Sequence, residues 1–193
     1  MTDRGLDGVT WGSVVRRADE RGSFRELWRE DTVAPLDPRA TGSAPGARPR
    51  FVQANLSTSV AGVLRGLHVH RRQLDHWIVA SGRAFVALVD LRDALAGRGG
   101  ETPAIETRSV GPDTTVTIPA GVAHGFLAIE PLELVYLVTN LHDGSDELGF
   151  AWDDPAVGVP WPQAVGTSDG RPILSNRDRA NPPLAKLLAR LAP

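Results

Sequence analysis

Five histidines, a single tyrosine and a single lysine bound the acid–base chemistry this 193-residue chain can perform. His68 lies behind Gly62 and Gly66, two residues before His70 and seven before Asp75; His124 follows Gly121 and precedes Gly125. Imidazole titrates near neutrality, so each glycine-framed histidine is a candidate general base or metal ligand. Tyr136, the only tyrosine, offers a phenol that is neutral at pH 7 and can donate a proton. Of 21 basic residues only Lys186 is lysine, so chemistry that needs an amine has one candidate. The chain has no cysteine, which excludes a thiolate nucleophile, disulfides, thiolate-bound zinc and iron–sulfur clusters. A lone buried histidine is by default a hydrogen-bonded core residue, so a site requires other groups to converge on it.

The elements that would position these groups are mostly strands. Trp77–Ala80 and Ala84–Leu91 are apolar on both faces and joined through Ser81-Gly82, as in a closed or sandwiched sheet. Val9–Arg17 and Ser23–Glu30 are extended segments around a turn containing Asp19, Arg21 and Gly22. Asp31–Arg50, rich in Pro, Gly, Ala and Arg, reads as a long surface loop. Phe51–Ser57 is the next strand, with Gln53 and Asn55 on one face by their spacing of two. Asp93–Pro103 is an excursion, and Ala104–Val110 with Thr114–Ile118 reads as a hairpin around Gly111-Pro112-Asp113. Phe126–Ile129 and Leu132–Thr139, the latter carrying Tyr136, are two further strands. Trp152–Pro162 is too rich in Pro and Gly for regular structure and should wrap the strands. Pro182–Leu191 alone reads as a helix, with Asn181 as N-cap. Many short strands separated by turns predict a single all-β domain, a barrel or jelly roll with a short C-terminal helix.

Composition excludes several classes of partner. A net charge of −2, from 21 basic and 23 acidic residues, gives no global field for nucleic acid or anionic lipid. An anionic ligand must then be held by a local cluster. No apolar run approaches a membrane span, and the first residues lack signal-peptide character, so a cytoplasmic protein is expected.

Two resemblances refine this. The spacing Gly62-x5-His68-x-His70-x4-Asp75-x6-Gly82 resembles the first signature of the cupin superfamily, with aspartate in place of glutamate, and Pro119-x-Gly121-x2-His124 resembles the second. In metal-binding cupins His68, His70, Asp75 and His124 would be the ligands, and imidazole with carboxylate suits Fe, Mn, Ni or Zn. The alternative is that the spacing reports the jelly roll alone.

The second resemblance is narrower. Asp19-Glu20-Arg21-Gly22-Ser23-Phe24-Arg25-Glu26, Phe51-Val52-Gln53-Ala54-Asn55, Gly62-Val63-Leu64-Arg65-Gly66-Leu67-His68 and Val89-Asp90-Leu91-Arg92 occur in order along the chain. Ile118 through Phe126, Trp152-Asp153-Asp154-Pro155 and Ile173-Leu174-Ser175 with Asp178 follow. Together they resemble the dTDP-4-dehydrorhamnose 3,5-epimerases, which are cupin-fold enzymes acting without metal or other cofactor. The likeness implies a homodimer that abstracts a proton beside the C4 ketone of a dTDP-4-keto-6-deoxyhexose and returns one on the opposite face. It makes His68 the base, Asp178 the carboxylate that orients it, and Tyr136 the proton donor. It assigns substrate contacts to Arg21, Glu26, Gln53, Asn55, Arg65, His124, Glu147 and Arg177, with Arg21 and Glu26 supplied by the partner subunit.

The departures from this family are as informative. The family's enolate-stabilising lysine is missing, and counting back from Gly82 puts Asp75 in its place. An aspartate opposes an oxyanion, so Arg71, Arg72, His76 or His124 would have to supply the donor. Leu141 and His142 stand where the family has paired tyrosines. These differences suggest a specialised member, acting at C3 with C5 left open. The other readings are the metal-dependent cupin enzyme and a non-catalytic sugar-nucleotide binding protein.

Overall fold

The computed structural model describes residues 5–31, 33, 46–98 and 102–191. Most of the expected Asp31–Arg50 loop, and residues 99–101 of the following excursion, lie outside the described residues. The strands are β1 (Thr10–Ser13), β2 (Arg16–Asp19), β3 (Gly22–Arg25), β4 (Gln53–Ser59), β5 (Leu64–Val69), β6 (Asp75–Ser81) and β7 (Ala84–Asp90). They continue with β8 (Ile105–Val110), β9 (Thr114–Ile118), β10 (Val122–Ala128), β11 (Leu132–Val138) and β12 (Leu148–Gly149). Three helices are described: α1 (Arg92–Leu95), α2 (Asn176–Ala180) and α3 (Leu184–Leu191). The strands form two antiparallel five-stranded sheets, β1-β9-β6-β11-β4 and β12-β5-β10-β7-β8, with β2-β3 as a separate ribbon. This is the expected all-β, cupin-type jelly roll, with its two sheets stacked and not hydrogen-bonded into a ring.

Alternation decides where the core sits. Trp77, Val79 and Leu134 of the first sheet meet Val86, Leu88 and Phe126 of the second in one buried cluster. The second sheet is also covered on its outer face, where Leu67, Val69, Ala87, Val89 and Ala123 pack against Phe150, Val157, Leu184 and Leu187. That double cover explains why β7 is apolar on both sides. Trp161 of the irregular Trp152–Pro162 segment stacks edge-on to Phe85, so this segment does wrap the sheet.

Three further local expectations are corrected, besides that of a lone C-terminal helix, to which α1 and α2 add two short ones. Val9–Arg17 is two strands, β1 paired to β9 and β2 paired to β3, because its halves find different partners. Ile105–Val110 and Thr114–Ile118 do not form a hairpin: β8 pairs with β7 in one sheet and β9 with β6 in the other, so their turn crosses the sandwich. The Ser81-Gly82 connection crosses too, and there a side chain is forbidden, since Gly82 has φ +79° and a Cβ would lie 2.0 Å from the Pro131 carbonyl oxygen. Finally, Asn181 closes α2, and the first N–H of α3, from Leu184, donates to Asp154 Oδ2 at 2.7 Å. The α3 cap thus comes from the wrapping segment, a non-local partner.

Candidate active site

β5 and β10 are neighbours in the second sheet, and their register sets His68 opposite His124. The pairing shifts between His124 and Phe126, which brings Arg65 opposite Phe126. Strict alternation would point Arg65 and His68 to opposite faces; the irregularity lets both face the space between the sheets. Gly66, at φ +114°, and Gly125 make it feasible, because a Cβ on Gly66 would lie 2.7 Å from the His124 carbonyl oxygen. From the facing sheet, β11 contributes Tyr136, which is registered between Asn55 of β4 and Trp77 of β6.

These side chains line a cleft of about 240 Å³, together with Ser57, His70, Gln73, Asp75, Trp77, Phe126, Leu134, Glu147 and Arg177. His68 Nε2 lies 2.6 Å from Asp178 Oδ1. Asp178 is fixed in turn by Ser175, the N-cap of α2, whose hydroxyl accepts from the Asp178 N–H at 3.0 Å and donates to Oδ2 at 2.9 Å. Burial alone would raise the Asp178 pKa, but the His68 hydrogen bond and charge, with help from Ser175 and Arg177, hold it below the usual carboxylate value. The result is an ionised carboxylate behind an imidazole that faces the cleft. Burial, followed by the charges of Asp75 and Glu147, pushes the Tyr136 phenol up, so it stays protonated.

Asp75 occupies the other side. Its Oδ1 accepts from Gln73 Nε2 at 2.7 Å and its Oδ2 from Trp77 Nε1 at 3.3 Å, and Oδ2 lies 3.5 Å from His124 Nε2. Desolvation lowers the His124 pKa to about 4 despite the Asp75 charge, with His70 and His68 pushing the same way, so His124 is neutral at pH 7. His70 Nδ1 is bonded to the Asp146 carbonyl oxygen at 2.6 Å.

Each expected residue can now be located. His68, Tyr136, Arg65, His124, Glu147 and Arg177 line the cleft, and Asp178 stands behind His68. Glu147 and Arg177 are ion-paired with each other, which lowers the Glu147 pKa against the effect of its burial. Gln53 and Asn55 extend the β4 wall beyond Ser57; they bond to each other at 2.9 Å, and Gln53 Oε1 accepts from the His142 N–H. Arg21 and Glu26 do not reach this cleft: Arg21 is held by Asp19, and the two line separate surface grooves. Of the four candidate enolate donors only His124 is present. His76 points out of the sandwich to Thr117 Oγ1 and the Phe51 ring, and Arg71 and Arg72 line a different cleft.

The four-ligand metal set expected on the cupin alternative is not assembled. Among the described residues, His70, Asp75 and His124 place one ligand atom each within 4.8 Å of one another, while His68 is committed to Asp178. Sequence reasoning missed Gln73, Trp77, Leu134, Phe126, Ser57 and Ser175. Their signal was spacing: Gln73, Asp75 and Trp77 continue one face at intervals of two, as do Leu134 with Tyr136 and Ser57 with Asn55.

Comparison with known proteins agrees with this geometry. A dTDP-4-dehydrorhamnose 3,5-epimerase of Methanothermobacter thermautotrophicus is 37% identical over 185 residues, covering 93% of this chain and 91% of its own. A dTDP-4-dehydrorhamnose 3-epimerase of Streptomyces niveus is 33% identical over 180 residues, 91% of this chain and 79% of its own. The solved rmlC epimerase of Mycobacterium tuberculosis superimposes with a TM-score of 0.78 at 30% identity, covering 100% of this chain and 94% of that one. The sequence pattern of the family matches residues 3–186, and with the His68–Asp178 pair facing Tyr136 across a cleft between two sheets, the chain belongs to the dTDP-4-dehydrorhamnose 3,5-epimerase family.

Proposed function

We propose that this enzyme epimerises a dTDP-4-keto-6-deoxyhexose beside its C4 ketone, at C3 with slower exchange at C5, as one step of deoxysugar biosynthesis. The observation that carries this reading is that an Asp-backed imidazole and a protonated phenol enter one cleft from opposite sheets. His68 removes the proton at C3, and the electron pair of that bond moves onto the C4 oxygen to form an enolate. Asp178 stabilises the imidazolium so formed. Tyr136 then gives its hydroxyl proton to C3 on the other face, the enolate collapses to the ketone, and exchange with solvent resets both residues. His124 Nδ1 lies 3.3 Å from the Val122 carbonyl oxygen and Nε2 3.5 Å from Asp75, so its role as donor to the enolate oxygen requires the neutral tautomer protonated on Nε2. The sequence of steps needs no Lewis acid. Arg65 and Arg177, with their forked donors, suit the diphosphate at the mouth, and Gln53 and Asn55 extend the same wall.

Two observations support a homodimer. Arg21 and Glu26 lie away from their own cleft, so a substrate role for them requires a second copy. Phe24, Val15 and Leu56 leave large apolar side chains exposed, 68%, 70% and 61% respectively, which a partner surface would cover. Among the described residues no helix is long and apolar enough to cross a membrane; we take the chain to be a single-domain cytoplasmic enzyme. The deciding experiment is incubation with dTDP-4-keto-6-deoxyglucose in D2O, read by NMR at each carbon. Deuterium at C3 with inversion is expected; protein that binds the nucleotide but exchanges neither carbon is a binding module, not this enzyme.

A further inference from the structure

A second cleft, of about 730 Å³, lies on the other side of the His70–Asp75 segment and shares no lining residue with the catalytic one. The segment alternates between them: His70, Gln73 and Asp75 face the catalytic cleft, while Arg71, Arg72 and Leu74 line the second. Five arginines line this second cleft, Arg48, Arg50, Arg71, Arg72 and Arg92, and among the described residues no carboxylate does. In a chain of net charge −2 this is a local excess of positive charge.

The arginines differ in what they already hold. Arg92 is paired with Asp90, and Arg48 donates to the carbonyls of Asp31 and Val33. Arg72 is partly engaged, through Nη2 to Ser145 Oγ at 3.1 Å. The guanidiniums of Arg50 and Arg71 have no hydrogen bond or ion pair among the described residues. The carboxylate of Asp146 is turned to the main chain, where it accepts from the N–H groups of Arg71 and Arg72 at 2.9 Å each. Asp146 therefore fixes the backbone that presents these guanidiniums without neutralising them by direct contact. The floor is apolar, from Leu74, Leu95 and Ala96, and the volume lies in the range of small-molecule sites, roughly 300–1,000 Å³.

We propose that this cleft is an anion site for a diphosphate group, separate from the substrate site. A single phosphoryl group satisfies one planar fork, whereas two linked phosphoryl groups engage both unpaired forks, of Arg50 and Arg71, with Arg72 beside them. The test is calorimetric titration of the full chain with inorganic pyrophosphate, with the substrate site saturated by dTDP, for the native protein and for Arg50→Gln/Arg71→Gln. Binding should persist under dTDP and weaken at least about tenfold in the double variant, the loss expected for removing charge-assisted hydrogen bonds. It should weaken with added salt in the native protein. Retained epimerisation by the double variant shows that it is folded; if it is inactive, the single Arg50→Gln variant is titrated instead. The proposal is overturned if pyrophosphate does not bind, if dTDP displaces it, or if the folded variant binds it as tightly as the native chain.

Discussion

The cleft holds two imidazole–carboxylate pairs, their imidazoles on the neighbouring strands β5 and β10, and the pairs are built differently. On one side His68 and Asp178 are 2.6 Å apart; the carboxylate is 4% exposed and locked by Ser175, and the imidazole is 25% exposed, open to the cleft. On the other, His124 and Asp75 are 3.5 Å apart and both buried, at 7% and 5%. Asp75 spends its oxygens on Gln73 and Trp77, and His124 is held neutral by desolvation. A tight pair with a solvent-accessible imidazole can take up a proton and be stabilised when it does. A loose, dry pair resists charging, so its imidazole acts as a neutral hydrogen-bonding group. In the proposed mechanism, similar residue types are thus sorted into base and oxyanion donor by distance and burial.

The largest test of that comparison is to remove the base. His68→Ala should lower turnover by about 10²–10⁴-fold, as expected for a general base. A variant that keeps near-native deuterium exchange at C3 would break the assignment. Removing the donor comes next: His124→Ala should cost about 10²–10³-fold, and it should reduce exchange and inversion together, because both pass through the enolate. Unequal losses would mean that His124 acts after proton abstraction. Asp178→Asn keeps the hydrogen-bonding shape but removes the charge that supports the imidazolium, so kcat should fall by about 10–100-fold, less than for His68→Ala. If the asparagine variant is as inactive as the alanine one, Asp178 does more than support His68.

The smallest effect is on stability. His76 and His124 both have pKa values depressed to about 4 by burial, against 6.5 when unfolded. Below about pH 6.5 the unfolded chain binds protons at these positions that the folded chain does not, so stability falls as the pH drops from about 6.5 toward 4. Urea midpoints measured at pH 7 and pH 5 should show the decline, and His76→Gln, remote from the cleft, should flatten it without loss of activity. An unchanged pH slope would show that His76 is not buried in its neutral form.

What could be read from the sequence divides along physical lines. His68 and His124 stood out because glycines frame them, and the structure shows why: Gly66 and Gly125 let β5 and β10 approach closely. The Gly111-Pro112-Asp113 turn announced a reversal of the chain but not which sheet receives it, so a crossing between sheets passed for a hairpin. Gln73 was hidden because β6 becomes apolar on both faces from Trp77 onward, which masks the alternation that would have aligned it with the cleft. Asp178 was reached only through the family resemblance. Its helix is five residues long, and its one local sign was a serine three residues earlier, as in a capping box.

The central claim, that His68 abstracts and Tyr136 returns the proton from opposite walls, is tested most directly by Tyr136→Phe with dTDP-4-keto-6-deoxyglucose in D2O. The phenol is not needed for abstraction, so the substrate should still acquire deuterium at C3 through His68 while inverted product falls by a clearly larger factor. Equal loss of exchange and inversion would contradict the account and leave Tyr136 a wall of the cleft, not its acid.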